Sequence, residues 1–311
     1  MKEYRLSYYP QFSCIGGACK HTCCAGWGMY IDEAALAAYK SNNTDFAERL
    51  SRGINFKKAR FRTDGSGRCA FLNGEGLCDL ILHLGEDSLC QICRDHPRFK
   101  SYTSSSVETG LGFCCEQATR VILSYPERIT PILTRDDGQP ATPSFIEERV
   151  LDFRRAALDT VQDRSTDANE KIARLLTLCN AGELPDLKQL TRAFIRLERK
   201  DRSWTQRLKN LKKTPFIPQN RPELELCFEQ FTANSFYRHL TGAEDTLWVR
   251  AIALACIFCW WIAVSIYENE RADGDNFELI CDIVRELSTE VEYSPDNLKK
   301  LFSYACRFIN I

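Results

Sequence analysis

The stretch Cys14-Ile15-Gly16-Gly17-Ala18-Cys19-Lys20-His21-Thr22-Cys23-Cys24 places four thiols within eleven residues. Ten of the 16 cysteines in the chain precede residue 116, the later six of these being Cys69, Cys78, Cys90, Cys93, Cys114 and Cys115. This density is hard to explain by packing alone, and zinc and iron–sulfur clusters are both usually held by four thiolates. The stretch therefore predicts an irregular segment wrapped around a metal centre.

The cysteines by themselves leave the metal open between iron and zinc. Two zinc ions would use eight thiolates, whereas one 4Fe-4S cluster needs four. Cys90-x2-Cys93 resembles half of a zinc ribbon, and His21 and His96 are possible nitrogen ligands, although surface or supporting roles are favoured for both. Cys256-x2-Cys259 lies inside an apolar run, where cysteine acts as a small hydrophobic residue.

Composition and charge describe a soluble globular chain. Of its 311 residues, 44% are hydrophobic and 27% charged, and the formal net charge of −1 gives no reason to expect a nucleic-acid partner. The N-terminal sequence has no apolar region of the secretory kind, which predicts a cytoplasmic protein with reduced thiols. A disulfide framework is the alternative if the protein is secreted.

One apolar run resembles a membrane span. Residues 251–264 are 14 consecutive apolar residues, bracketed closely by Arg250 and Glu268. A span needs about 20 such residues, so the run predicts a buried core helix and no membrane span.

The chain divides in sequence at a proline-rich region, residues 125–143. The predicted fold class is mainly α, with an irregular cysteine-rich metal-binding module at 1–125 and an all-helical module at 126–311. An early helix follows Asp32. Helices of the second module are predicted at 144–161, 168–179, 186–202, 223–240, 244–268, 275–290 and 295–309.

The order of the motifs resembles that of the flagellin lysine N-methylases, within the wider set of cysteine-cluster proteins named for zinc or iron chelation. The motifs are Cys-x4-Cys-x3-Cys-Cys, Gly-Trp, Cys-Arg-x-x-Pro-Arg and Cys-x-Glu, over roughly residues 8–120. They fall on Cys14, Cys19, Cys23, Cys24, Trp27, Cys69, Cys78, Cys93, Arg94, Pro97, Arg98, Cys114 and Glu116. The family usually has an aromatic residue at the position of His96 and a proline at that of Cys115. Cys90 and Cys115 therefore have no family counterparts, and the chain is shorter than such proteins.

The resemblance implies methyl transfer from S-adenosylmethionine to lysine side chains of flagellin, with a 4Fe-4S cluster at the site and zinc as the alternative metal. The implied metal ligands are Cys14, Cys19, Cys23, Cys24, Cys69, Cys78, Cys93 and Cys114. No glycine-rich strand–turn–helix fingerprint for a nucleotide is visible in the sequence. By analogy, a cluster iron with an open coordination position would hold the amino and carboxylate groups of the donor.

Methyl transfer to an amine requires a neutral lysine, because an ammonium group has no lone pair. Glu116 and Asp32 are candidate bases, and a helix-end or salt-bridge role is the alternative for each. Trp27 and Tyr30 are candidates to pack on a sulfonium or methylated ammonium group, with core packing as the alternative for each.

Two other functional classes fit the same cysteines. One is a non-catalytic zinc- or iron-binding module for protein interaction or metal handling. The other is a redox protein that passes electrons through a cluster.

Overall fold

The computed structural model describes residues 1–138, 142–211, 217–241, 245–274 and 276–310. It is mainly α, as predicted. The chain forms two compact units. The smaller unit comprises residues 13–98 and 115–117, and the larger unit comprises residues 1–12, 99–114 and 118–311.

Two small sheets accompany the helices. The strands are β1 (Lys2–Leu6), β2 (Ile54–Asn55), β3 (Arg60–Phe61), β4 (Arg98–Tyr102), β5 (Ser106–Leu111) and β6 (Pro131–Asp136). The four-stranded sheet has the order β4-β5-β1-β6, in which β1 runs parallel to β5 and antiparallel to β6. The other sheet pairs β2 with β3, antiparallel, inside the smaller unit. The module predicted to be irregular, residues 1–125, therefore begins with a regular strand, β1.

Most of the long helices are preceded by a residue whose side chain caps the first turn. The helices are α1 (Glu33–Lys40), α2 (Ala47–Gly53), α3 (Asp79–Leu84), α4 (Gln91–Asp95), α5 (Glu116–Leu123), α6 (Phe145–Val161), α7 (Ala168–Leu178), α8 (Leu187–Ile195), α9 (Arg202–Leu211), α10 (Glu225–His239), α11 (Thr246–Glu270), α12 (Phe277–Val291) and α13 (Pro295–Ala305). Asp186, for example, accepts the backbone N–H of Gln189 while the Gln189 side chain accepts the N–H of Asp186. This reciprocal arrangement is a capping box, and it supplies acceptors for backbone N–H groups that have no partner within the first helical turn.

Only the first part of the helix predicted over 186–202 is helical, and the next helix, α9, begins at Arg202. Helix α8 ends at Ile195, because the following backbone bonds to distant side chains instead of continuing the helix. The N–H of Glu198 donates to Asn297 Oδ1 at 2.8 Å, and the N–H groups of Lys200 and Asp201 donate to the Glu290 carboxylate at 2.7 and 2.8 Å. These long-range bonds replace helical ones.

The predicted boundary at residues 125/126 does not coincide with the edges of the compact units. Strand β1 pairs with β5 in the register Glu3 to Val107, which joins the start of the chain to the unit that holds the long helices. The second module is also not all-helical, because β6 is a strand that pairs with β1. Residues 139–141 of the predicted boundary region, and the predicted helix starts at 244 and 275, lie outside the described residues.

Helix α11 forms the centre of the larger unit. All of its residues from Ala251 to Tyr267 are buried, which confirms the predicted core helix. By length and composition α11 is also long and apolar enough to cross a membrane, and 94% of its most apolar window is buried within the protein. That burial is typical of a core helix.

A separate apolar core organises the smaller unit. It is built from residues of β2, β3, α1, α2 and α3 together with cysteines, and its large members include Met29, Phe61, Phe71 and Leu80. A Cβ on Gly53 would lie 2.4 Å from the Phe71 ring, so the close approach of α2 to this ring requires glycine.

Candidate functional site

Nine cysteines lie in the smaller unit, each as a thiol rather than in a disulfide. They form two groups by their surroundings. The inner group packs into or against the apolar core and consists of Cys24, Cys69, Cys78, Cys90 and Cys93. The outer group consists of Cys14 and Cys23, which are exposed, and Cys19 and Cys115, which are half-buried.

Backbone pairing brings the inner group together from four segments. The N–H of Cys69 donates to the carbonyl of Cys24 at 2.8 Å. Leu72 donates to the carbonyl of Cys69 at 3.0 Å and forms an isolated bridge with Cys78. Cys90 and Cys93 share one helical turn, where the N–H of Cys93 donates to the Cys90 carbonyl at 3.1 Å. Short turns therefore place these thiols within or against the same apolar core.

Burial and thiol–thiol hydrogen bonds set the protonation of the inner group. Desolvation raises the pKa of Cys69 to about 11, although the Phe71 N–H donates to its sulfur at 3.5 Å. A hydrogen bond between the two side chains raises the pKa of Cys93 and lowers that of Cys90. Without a cation, burial favours the protonated form, and a bound metal would reverse this preference.

Glu116 organises the loop that carries the outer group. Its Oε2 accepts the backbone N–H groups of Lys20 at 2.8 Å and His21 at 3.1 Å, and the thiol of Cys19 at 3.6 Å. The carboxylate is 7% exposed. Glu116, the first of the two predicted bases, thus lies beside a thiol of the outer group, and its carboxylate fixes the backbone of the loop at Lys20 and His21.

The thiols of the outer group influence one another electrostatically. A hydrogen bond with Cys24 and then desolvation raise the pKa of Cys23, and charge on Cys115 and Cys14 raises it further. Desolvation raises the pKa of Cys19 to about 11, to which the charges of Glu116 and Cys115 add. The hydrogen bond between the Cys23 and Cys24 side chains lowers the pKa of Cys24 to about 7. These two adjacent residues therefore connect the outer group with the inner group.

Asp32, the second predicted base, caps two helices. Its Oδ1 accepts the N–H of Ala35 in α1 at 3.0 Å, and its Oδ2 accepts the N–H of Gln91, the first residue of α4, at 2.7 Å. These bonds, the Gln91 bond first, lower the pKa of the carboxyl group. The geometry favours the helix-end alternative for Asp32.

The two candidate aromatic residues differ in exposure. Trp27 packs partly against the core, its Nε1–H donates to the Cys23 carbonyl at 2.7 Å, and its ring centroid lies 6.2 Å from that of His96. Tyr30 is 62% exposed, so the core-packing alternative is wrong for it. Trp27 thus bonds the backbone of the cysteine loop through its side chain, whereas Tyr30 accepts the Cys90 thiol at 3.9 Å through its backbone carbonyl.

A cavity of about 600 Å³ opens beside α1 and α4 within the smaller unit. Its lining includes three carboxylates, Asp32, Asp87 and Asp95, together with Tyr39 and Arg94. The Arg94 guanidinium donates hydrogen bonds to the backbone carbonyls of Asp87 and Leu89, which uses part of its hydrogen-bonding capacity. The volume is in the range of small-molecule sites.

The structure divides the predicted metal ligands between the units. Cys14, Cys19, Cys23, Cys24, Cys69, Cys78 and Cys93 lie in the smaller unit, whereas Cys114 lies in the larger one. There its side chain hydrogen-bonds with Tyr293, which adds to the effect of burial in raising the Tyr293 pKa.

Sequence reasoning left out two cysteines that the structure places among the others. Cys90 is fully buried in the core of the inner group, and Cys115 belongs with the outer group. The signal for Cys90 was its spacing of two residues from Cys93. For Cys115 the signal was its position between Cys114 and Glu116, two residues of the predicted site.

The donor chemistry of the smaller unit fits a thiolate-held metal. Thiols are the ligands that zinc and iron–sulfur clusters take, and the unit offers enough of them for more than one four-ligand site. Among the residues that the structure describes, no three His, Cys, Asp or Glu side chains converge in a metal-binding arrangement. Binding would therefore require the thiols to lose protons and turn towards a common centre.

Comparisons with known proteins give partial similarities. The chain is 26% identical over 138 residues to a lysine-N-methylase of Salmonella typhimurium and, equally, to one of Salmonella choleraesuis, covering 41% of this chain and 34% of each relative. It is also 26% identical over 138 residues to the flagellar biosynthetic protein FliU of Salmonella muenchen, covering 82% of that protein. The match thus spans about a third of the length of the two methylases.

No protein-family model and no solved structure matches the chain. The similarities are of low identity and partial, and they support a relation to the flagellin lysine methylases at most.

Proposed function

We propose that this protein is a cytoplasmic lysine N-methyltransferase that modifies flagellin, using S-adenosylmethionine and a thiolate-held 4Fe-4S cluster. The observation that carries the proposal is the partial similarity to proteins named lysine-N-methylase and FliU. The nine thiols gathered in one compact unit supply the ligand chemistry that a cluster needs.

The residues of the outer group suit the reacting centre. Cys14 and Cys23 are exposed, so a centre held there would be open to a donor and to a protein substrate. When bound, a cluster would supply an iron coordination position for the donor. Trp27 lies over the same loop, with its indole N–H on the Cys23 carbonyl, and offers an aromatic face for a sulfonium group.

Proton removal from the lysine falls to a carboxylate near the thiols. Glu116 is the better placed of the two candidates, because it contacts the thiol of Cys19 directly. Burial of the incoming lysine would itself favour the neutral amine. Asp32 then acts by positioning α1 and α4 rather than by taking the proton.

The cavity beside α1 and α4 is a place for a basic side chain of the substrate other than the reacting lysine, because its described lining contains neither a thiol nor Glu116. The carboxylates of Asp87 and Asp95 would attract that cationic group from water. Replacing both by asparagine should raise KM for flagellin with a smaller change in kcat, whereas the exposed Glu33 replaced by glutamine should leave both unchanged.

The test is a methylation assay on protein purified without oxygen. Purified flagellin and S-adenosylmethionine are incubated with the protein, and intact mass together with peptide mapping reports methylated lysines. The expected result is added methyl groups on flagellin lysines that depend on both the protein and the donor. Unmodified flagellin, with a fully metal-loaded protein, would refute the enzyme and favour the non-catalytic metal-binding module.

A further inference from the structure

The adjacent residues Cys23 and Cys24 face different surroundings. Cys24 packs against the apolar core, in backbone contact with Cys69, while Cys23 is exposed in the loop that Glu116 holds. The boundary between the two groups of thiols therefore passes between neighbours in sequence. A single four-ligand centre would leave five of the nine thiols of the smaller unit without a role as ligands.

The inner group has the features of a closed site. Its thiols come from four chain segments and border one core, and Cys69 and Cys90 are buried. Cys90 and Cys93 share one helical turn, in which the N–H of Cys93 donates to the Cys90 carbonyl at 3.1 Å, so their two side chains start from neighbouring backbone positions. Structural zinc sites are closed in this sense and contribute directly to folding.

The outer group has the features of an open site. It offers Cys14, Cys19 and Cys23 from one loop and Cys115 from a distant segment, and two of the four are exposed. Glu116 follows Cys115 and bonds the backbone at Lys20 and His21, which fixes that segment against the loop.

We propose that the smaller unit holds two thiophilic metal centres, zinc or iron, rather than one. The inner group (Cys24, Cys69, Cys78, Cys90 and Cys93) binds a closed structural centre, and the outer group (Cys14, Cys19, Cys23 and Cys115) binds an open one. Cys115 is thus a ligand and its neighbour Cys114 is not. Assigning methyl transfer to the outer centre rests on the proposed function, whereas the number of centres does not.

Native mass spectrometry of the full chain, purified without oxygen, tests the proposal, with metal and acid-labile sulfide analysis to separate zinc from iron–sulfur. Samples are also reconstituted with ferrous iron and sulfide, or with zinc sulfate. The wild type should carry two centres. Cys115→Ser should carry one, and the matched neighbour variant Cys114→Ser should carry two.

A third variant, Cys69→Ser, addresses the inner centre. It should lose that centre and have a lower Tm than Cys115→Ser, since the inner centre ties the core together. A single centre in the wild type, two centres in Cys115→Ser or in Cys69→Ser, or a loss in Cys114→Ser would overturn the division. Because the count is independent of methylation, an inactive protein with two centres would refute only the proposed function.

Discussion

The side-chain carboxylate of Glu116 accepts the backbone N–H of Lys20 at 2.8 Å, across 96 residues of sequence. The contact fixes the loop between Cys19 and Cys23 from a distant segment. Its partners are backbone donors, so the loop depends on the carboxylate more than on the identity of Lys20.

Replacing Glu116 by alanine should loosen this loop. A hydrogen bond to a charged group contributes roughly 1.5–3 kcal/mol, and two backbone N–H groups would lose their acceptor. Hydrogen-exchange mass spectrometry should show faster exchange at Lys20 and His21, with little change in α11. Glu116→Gln retains an acceptor oxygen and should show a smaller effect; equal protection in all three proteins would contradict the proposed role of the carboxylate.

Gly17 should not tolerate a side chain. A Cβ at this position would lie 2.3 Å from the backbone carbonyl oxygen of Glu75, which cannot move as a side chain could. Gly17→Ala should therefore destabilise the smaller unit by roughly 1–3 kcal/mol, as overpacking commonly does.

Gly65 provides the matched control for that substitution, since a Cβ there would meet nothing within 4 Å. Urea unfolding followed by pulsed hydrogen exchange, read by mass spectrometry on peptides of residues 13–98, would compare the two alanine variants in the smaller unit. Equal midpoints for Gly17→Ala and Gly65→Ala would show that the close approach to Glu75 is unimportant.

Asp32→Ala should lower stability through the loss of two caps. Removing a capping side chain costs roughly 0.5–2 kcal/mol, and this carboxylate serves both α1 and α4. Thermal unfolding measures the change, with Glu33→Gln as a control that alters charge on the same turn. If Asp32→Asn abolished methylation while keeping the wild-type Tm, the base assignment would move from Glu116 back to Asp32.

Acid should destabilise the larger unit through Glu292. Its carboxylate contacts Arg238 at 3.2 Å and His239 at 2.9 Å, and although burial opposes ionisation these partners lower its pKa to about 2 from 4.5. A depressed carboxyl pKa stabilises the fold above pH 4.5, and this contribution is lost as pH falls towards 2. Burial also lowers the pKa of His239, so unfolding takes up a proton below pH 6.5 and acts in the same direction.

The variant Glu292→Gln tests this linkage. It leaves the largely buried Arg238 side chain, 14% exposed, without its anion and should cost up to roughly 3 kcal/mol at neutral pH. Its Tm should also fall less steeply between pH 5 and 3 than that of the wild type. Glu3→Gln, in an exposed pair with Arg135, should keep the wild-type profile. Parallel Tm profiles for Glu292→Gln and wild type would exclude Glu292 as the source of the acid sensitivity.

Local patterns in the sequence were enough to predict most of the helices. Ser144 and Ser294 cap α6 and α13, and the apolar run 251–264 predicted the buried centre of α11. The break after Ile195 was not predictable, because the side chains that take its backbone bonds, Glu290 and Asn297, lie about a hundred residues away.

The same distinction applies to the cysteines. Their number and close spacing in residues 14–24 are properties of the sequence, and they alone determined that metal chemistry should be sought there. Only the tertiary structure decided that Cys24 joins Cys69 in the core while Cys23 stays exposed, and that Cys115 and Cys114 belong to different units. The physical reason is that burial and long-range hydrogen bonds give different surroundings to adjacent side chains that are chemically identical.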